Sequence, residues 1–228
     1  MEDCKNAPKT AEQRKKETEQ QLKSLDISYM EHLPLIEEES EVKIRTAQEI
    51  AERILILLYL SYLGFISIEG GKGNEREKIV DFLKANSLWD KVSLEEKELY
   101  QKEKLTSQET TNMTWRTEAI WLLLWVINKV DELELPTGQV EIPEIISRIS
   151  NLFANPKEFI KTAIVRPTTE ILDISDLMYR LHWATTDARL NNRPVPANLN
   201  SSIVYERHYA INWVTYYADE WDEITTDT

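Results

Sequence analysis

Glycine is scarce. Five glycines stand among 228 residues, against the ~7% of an average chain. Gly64, Gly70, Gly71 and Gly73 share one ten-residue window, and Gly138 is the fifth. Tight hairpins, dinucleotide turns and phosphate loops all draw on glycine for positive φ or close backbone approach. Outside that window the chain can hardly build them. Inside it, Glu69-Gly70-Gly71-Lys72-Gly73-Asn74 lacks the spacing of a P-loop, and no G-x-G-x-x-G occurs. It reads as a flexible joint between helices.

Cysteine is nearly absent. Cys4 is alone, which excludes an intramolecular disulfide and a cysteine zinc site and suits a reducing compartment. Residues 1–24 contain no apolar stretch of the secretory kind. The longest apolar run, Ile54–Ile68, is interrupted by Ser61, Gly64 and Ser67 and falls short of the ~20 residues of a bilayer span. A soluble cytoplasmic protein is expected. Basic excess is missing too: 27 Lys and Arg face 40 Asp and Glu, a net charge of −13. Residues 1–25 hold six basic and five acidic side chains, so the acidity belongs to the rest. Such a body repels phosphate backbones and anionic lipid surfaces, so neither nucleic acid nor membrane is expected as a partner. A basic partner is compatible with it, although acidity by itself mostly confers solubility. No alternating pattern long enough for a strand ladder exists, and no internal repeat.

What the chain does have is helix signals. Residues 9–24 are strong helix formers without an apolar stripe, so 1–24 reads as an exposed or frayed helix, with 25–228 as a single helical domain. Ser40 is a plausible N-cap for a helix over about 41–63, with Ile44, Ala47, Ile50, Ala51, Ile54, Leu58 and Tyr62 on one face and Gly64 as its stop. Arg45, Glu49 and Arg53, four apart, read as a solvated ion-pair row on its other side. Asn74 with Glu77, Ser93 with Glu96 and Thr106 with Glu109 are capping boxes. The last opens a helix over about 107–130 that is apolar nearly all round from Trp115, which makes it the central buried helix. Pro143 opens a helix to about Phe153, and Asn155-Pro156 a short one. Longer helices follow over about 169–191 and 203–218. The fold class is therefore all-α, about eight helices around the central one.

Charges inside apolar faces are the most informative feature. At ~100° per residue, Arg116 and Glu118 lie within the central helix's apolar surface. Asp176, Arg180, Trp183 and Asp187 share a stripe beside the core face of the 169–191 helix, and Glu206 and Arg207 border the core face of the last one. Lone buried charges are costly, so these groups are expected to pair across helices. They form the candidate site, an Arg/carboxylate network beside Trp121, Trp125, Trp183 and Trp213. The plain reading is an ion network that specifies the fold; the functional one is a polar pocket for a small ligand or peptide end. Most of the seven tryptophans read as core, with Trp89 and Trp221 as loop anchors. His32, His182 and His208 fit no metal-binding spacing, so no metal or other cofactor is expected. No nucleophile elbow is present, and catalytic residues are not identifiable. The tail from Asp219 reads as anchored through Trp221 and Ile224.

Four stretches carry a resemblance: Trp115-Arg116-Thr117-Glu118-Ala119-Ile120-Trp121-Leu122-Leu123-Leu124-Trp125; Glu170-Ile171-Leu172-Asp173 running on through Asp176-Leu177 to Tyr179-Arg180-Leu181-His182-Trp183-Ala184; Val204-Tyr205-Glu206-Arg207-His208 with Ala210 and Asn212-Trp213; and the ending Trp221-Asp222-Glu223-Ile224-Thr225-Thr226-Asp227-Thr228. In this order they resemble domain-of-unknown-function family 4272, from about Leu25 onward. The resemblance implies a bacterial-type, soluble, mostly helical protein and brings no activity with it. The expected function is a non-enzymatic binding module for a protein or small-molecule ligand. The alternative is a hydrolase-like enzyme using Glu118 or Glu206 as base, with Arg116, Arg180 or Arg207 holding an anionic substrate.

Overall fold

The computed structural model describes residues 8–70, 74–152 and 154–228. Among them the only regular structure is helical: α1 (Ala11–Ser24), α2 (Ala47–Ile68), α3 (Glu75–Ala85), α4 (Leu94–Gln101), α5 (Ser107–Val126), α6 (Ile142–Arg148), α7 (Pro156–Lys161), α8 (Thr168–Leu190) and α9 (Ser201–Val214). Short 3-10 turns occupy Trp89–Lys91, Pro196–Asn198 and Trp221–Glu223. Cys4, Gly71, Gly73 and Phe153 lie outside the described residues.

Scarce glycine turns out to be a matter of how helices stop. A left-handed residue just past the end lets two N–H groups fold back onto the last carbonyls, and glycine is the usual choice. Here five helices end that way on Asp26, Ser87, Asn128, Asn192 and Tyr216, all with φ between 51° and 60°. The returning bonds are present each time, for instance Ile27 N–H to the Leu22 carbonyl (2.9 Å) and Leu88 N–H to Leu83 (2.8 Å). Apolar residues clasp across these two ends, with Leu22, Ile27, Leu83 and Leu88 all buried. Only α2 uses a glycine, Gly70 at φ 71°.

Helix starts follow the capping boxes. Ser93/Glu96 and Thr106/Glu109 close reciprocally as the sequence predicts, and so do Thr10/Gln13 and Thr46/Glu49. Asn74 and Asn155 precede helices without giving a side-chain cap. Ser40 caps nothing: it lies in a turn closed on the Glu38 carbonyl, and α2 begins six residues later than expected, at the Thr46–Glu49 box. Its end also moves. Gly64 does not stop α2 but lies inside it, where an added Cβ would sit 2.8 Å from Met113 Cβ and 3.0 Å from the Thr110 carbonyl. Gly64 is a point of close approach between α2 and α5, and these two helices form the most extensive contact among the described residues. The α6 helix stops at Arg148 and α9 at Val214, earlier than periodicity suggests, the latter because Tyr216 turns left-handed.

The central helix is as expected. Every residue of α5 from Thr117 through its cap Ile127 is buried. Around it stand α2, α9 and, beyond α9, α8, and one continuous cluster of buried apolar side chains links them. By length and hydropathy α2 would suffice to cross a membrane, and 67% of its apolar window is buried among the other helices.

Two expectations fail at the surface. Residues 11–24 are not frayed: α1 packs on α8 through a polar seam, with Ala11, Arg14, Thr18 and Leu22 buried. Arg14 is 1% exposed and its Nε donates to Asp173 Oδ1 at 3.0 Å, while Lys9 Nζ reaches the other oxygen at 2.7 Å. An apolar-stripe search cannot see such a helix, because it is held by charge. Arg45 and Arg53 are likewise not solvated; both are buried. Arg45 lies against the rings of Trp213 and Tyr216 at 4.3 and 4.0 Å, and it donates to the carbonyls of Trp213, Ala218 and Asp219. Arg53 holds both oxygens of Glu96 (2.9 and 3.0 Å) beside Trp221.

Candidate functional site

The eight charged and aromatic residues singled out in the sequence divide into separate groups. Helices α5 and α9 pack against each other and contribute two pairs. Glu118 and Arg207 meet in the interior, 0% and 3% exposed. Glu118 Oε2 accepts from Arg207 Nε and Nη2 at 3.1 and 3.0 Å, and Oε1 accepts the Val140 N–H at 2.7 Å. Arg207 Nη1 donates to the Glu134 carbonyl at 2.7 Å. The pair therefore pins the 131–140 loop onto the two helices. Burial pushes the Glu118 carboxyl up and the Arg207 guanidinium down, and each charge opposes the other's shift. Glu118 is buried and paired at both oxygens, as an internal strut is. Arg207 touches the floor of a cleft of about 610 Å³ under that loop, whose rim carries Asp131, Glu132, Glu134 and Glu144.

Beside it, Arg116 Nη1 donates to both oxygens of Glu206, at 3.0 and 3.3 Å. The Arg116 guanidinium also faces the rings of Tyr209 and Trp221 at 5.1 and 5.9 Å. Burial and the nearby Glu118 charge push Glu206 up, against the pull of Arg116. Burial works against the Arg116 charge as well, but Glu206 outweighs it and the guanidinium is held more firmly protonated. In this pair both partners line a cleft, whereas in the first only Arg207 does. That cleft, of about 530 Å³, lies between α5, α8 and α9.

The other predicted residues stand elsewhere. Asp176 and Arg180 pair within α8, four residues apart, at 2.8 and 2.9 Å. Arg180 also approaches Glu19 of α1 at 3.8 Å and the Pro34 carbonyl at 3.4 Å. They belong to the α1 seam. Asp187 binds Arg193 and Asn191 at the end of α8 and closes that terminus. Trp183 is half-buried and packs on the apolar core. The expected single network is thus corrected to two α5–α9 pairs, an α8 pair facing α1 and a terminal clasp. Helical periodicity gives the angle of each charge around its own axis, and the partner depends on which helix lies opposite.

The cleft between α5, α8 and α9 is built with regularity. Gln108, Asn112, Trp115 and Arg116 come from α5 at spacings of four, three and one. His182, Thr185, Thr186 and Arg189 come from α8. Ser201, Ser202, Tyr205 and Glu206 come from the first two turns of α9. Glu206 is its only carboxylate, and Arg116 occupies it. Arg189 is exposed and makes no ion pair among the described residues. The lining is otherwise hydroxyls, amides and three rings.

Sequence reading missed the histidine pair. His182 of α8 and His208 of α9 face each other with Nδ1 atoms 2.9 Å apart and rings at 78°. Burial, helped by the Arg189 charge, lowers His182 to about 4; burial, helped by His182, lowers His208 to about 3. Both rings are neutral at neutral pH. The residues are 26 apart in sequence, and only the packing of α8 on α9 brings them together. Among the described residues no three His, Cys, Asp or Glu side chains converge in a metal-binding arrangement.

The tail is anchored as the sequence suggests. Trp221 and Ile224 are buried, Tyr209 donates its hydroxyl to the Trp221 carbonyl, and Asn212 Nδ2 donates to the Thr225 carbonyl at 2.9 Å. No curated protein and no solved structure matches the chain. Residues 14–224 match the family model described as Domain of unknown function (DUF4272), and with nearly its whole length in that match, most of α1 included, the chain belongs to this family.

Proposed function

We propose that the protein is a non-enzymatic binding module whose ligand is a small polar molecule bearing an anionic group, held in the cleft between α5, α8 and α9. The observation that carries this reading is the placement of two arginines, Arg116 and Arg189, in a reachable cleft whose one carboxylate is already neutralised. On a chain of net charge −13 this is a local reversal of sign, and field lines from the acidic surround favour an anion there over the rest of the surface. About 530 Å³ lies within the usual range for small-ligand sites. Thr186, Ser201, Ser202 and Tyr205 add hydroxyls that suit a phosphate or carboxylate and its polar neighbours. Acidity and a lone cysteine further support a cytoplasmic protein that uses neither nucleic acid nor membrane as partner.

One observation favours the enzyme reading. Glu206 sits in the same cleft with its carboxyl pushed up by burial, as a general base would be. Against it, Arg116 already engages both Glu206 oxygens.

A thermal-shift panel of phosphorylated and carboxylated metabolites, followed by calorimetric titration, tests the proposal. Binding of an anionic member is expected, weakened tenfold or more in Arg189→Ala, which touches no ion pair of the fold. Absence of any binder at millimolar concentration, or equal affinity in the variant, overturns it. A ligand that is consumed on mixing, with consumption lost in Glu206→Gln, establishes the enzyme instead.

A further inference from the structure

We propose that His182 and His208 form a proton-sharing bridge that joins two clefts across the seam between α8 and α9. Their Nδ1 atoms are 2.9 Å apart, and at that distance one proton must lie between them: two N–H groups would clash and two lone pairs would repel. The pair therefore consists of one ring that donates at Nδ1 and one that accepts. Each ring has a second nitrogen. Neither Nε2 hydrogen-bonds a described residue, and neither is an enclosed atom without partner. His182 lines the cleft of about 530 Å³ that holds Arg116 and Glu206. His208 lines a different one, of about 210 Å³, with Tyr179, Asn212 and Asp227.

Two neutral imidazoles linked in this way hand a proton across without leaving charge behind. A proton arriving at His182 Nε2 from water or an acidic group in the first cleft forms a new N–H bond there. The Nδ1–H bond of His182 breaks and its proton passes to His208 Nδ1. His208 then releases its Nε2 proton to water or a carboxylate in the second cleft. One proton enters and one leaves, and both rings end neutral with their tautomers exchanged. Transfer in the opposite direction restores them. The groups that face the bridge suit this traffic. On the His182 side stand Arg189, Tyr205 and the Arg116–Glu206 pair; on the His208 side stand Glu37, Tyr217 and Asp227. Burial keeps both rings neutral across the physiological range, so the bridge is set to relay rather than to store a proton. It stands independently of any ligand in the first cleft.

Long-range 1H–15N spectra of the full-length protein labelled with 15N, at pH 7 and without ligand, test it. The two rings are expected in complementary states, with one Nδ1–H shared between them and a 15N–15N coupling through that hydrogen bond. In His208→Phe the shared state of His182 is expected to vanish, while its midpoint stays low because burial and the Arg189 charge set it. Two rings both in the Nε2–H form, no coupling between them, or a His182 spectrum unchanged in the variant would overturn the proposal. The wild-type spectrum decides it even if His208→Phe fails to fold, and His208→Gln, which keeps a polar group facing His182, is the second variant and is expected to leave His182 neutral.

Discussion

Glu118 and Arg207 illustrate what a single residue contributes here. Each is buried, and each satisfies the other together with one backbone group of the 131–140 loop. Removing one partner leaves a buried charge uncompensated, which costs about 3–5 kcal/mol. Glu118→Ala is therefore expected to lower stability by that amount in urea titration. Glu118→Leu combined with Arg207→Met is expected to recover most of the loss, because two apolar groups of similar volume need no partners. A small effect of Glu118→Ala alone would show that water reaches Arg207 from the cleft beneath it. Arg45 acts by the same logic at another helix end, where one guanidinium donates to three carbonyls and lies against two ring faces. It also steadies Tyr216, whose left-handed φ of 56° is costly for a residue with a large side chain.

The element that organises the fold is the α2–α5 pair, and Gly64 sets its spacing. In an exposed helix Gly64→Ala would gain about 1 kcal/mol of helix propensity. Here the new Cβ would press on Met113 Cβ and the Thr110 carbonyl, at 2.8 and 3.0 Å, and neither is the free end of a flexible chain. Overpacking of this kind costs about 1–3 kcal/mol. A net loss of up to about 2 kcal/mol is expected in denaturant titration, and a stabilised variant would show that α2 slides freely along α5. Legibility at this scale followed the physics of each element. The α5 helix was readable because it is apolar on all sides, and α8 because its core stripe keeps step over six turns. By contrast α1 was misread, since what seats it is Arg14 on Asp173, a contact between residues 159 apart.

For the whole molecule, the histidine pair ties stability to pH. In the unfolded chain both rings take up protons near pH 6.5, whereas folded His182 and His208 do so only near 4 and 3. A depressed folded value means that the unfolded state binds more protons over the interval. Stability from this source is complete above about pH 6.5 and falls as the pH drops toward 4. The slope is about 1.4 kcal/mol per pH unit for each proton. Comparing wild type with His208→Gln between pH 7 and 4.5 isolates it from the carboxylates: the variant is expected to lose stability less steeply, by up to about one proton's slope. Parallel curves would mean that His208 already titrates normally in the folded protein. At this scale, too, the surface charge keeps its simple meaning. It repels phosphate at large, and the cleft holding Arg116 and Arg189 is where we propose that an anion binds.

The sequence by itself determined the kind of structure and the faces of its parts. Local signals act over three to seven residues, so Ser93 with Glu96, Thr106 with Glu109 and the apolar circumference of α5 are decided before any helix meets another. It also placed Arg116, Glu118, Glu206 and Arg207 at apolar surfaces, since that requires only the helical repeat. The tertiary structure decided who meets whom. It set Glu118 on Arg207 as a buried strut and Arg116 on Glu206 at a cleft wall. It sent Asp176 and Arg180 to the α1 seam, and it brought His182 within a hydrogen bond of His208. Those outcomes rest on which helix lies against which and at what distance. Such a distance is fixed at points like Gly64 by atoms from two distant parts of the chain.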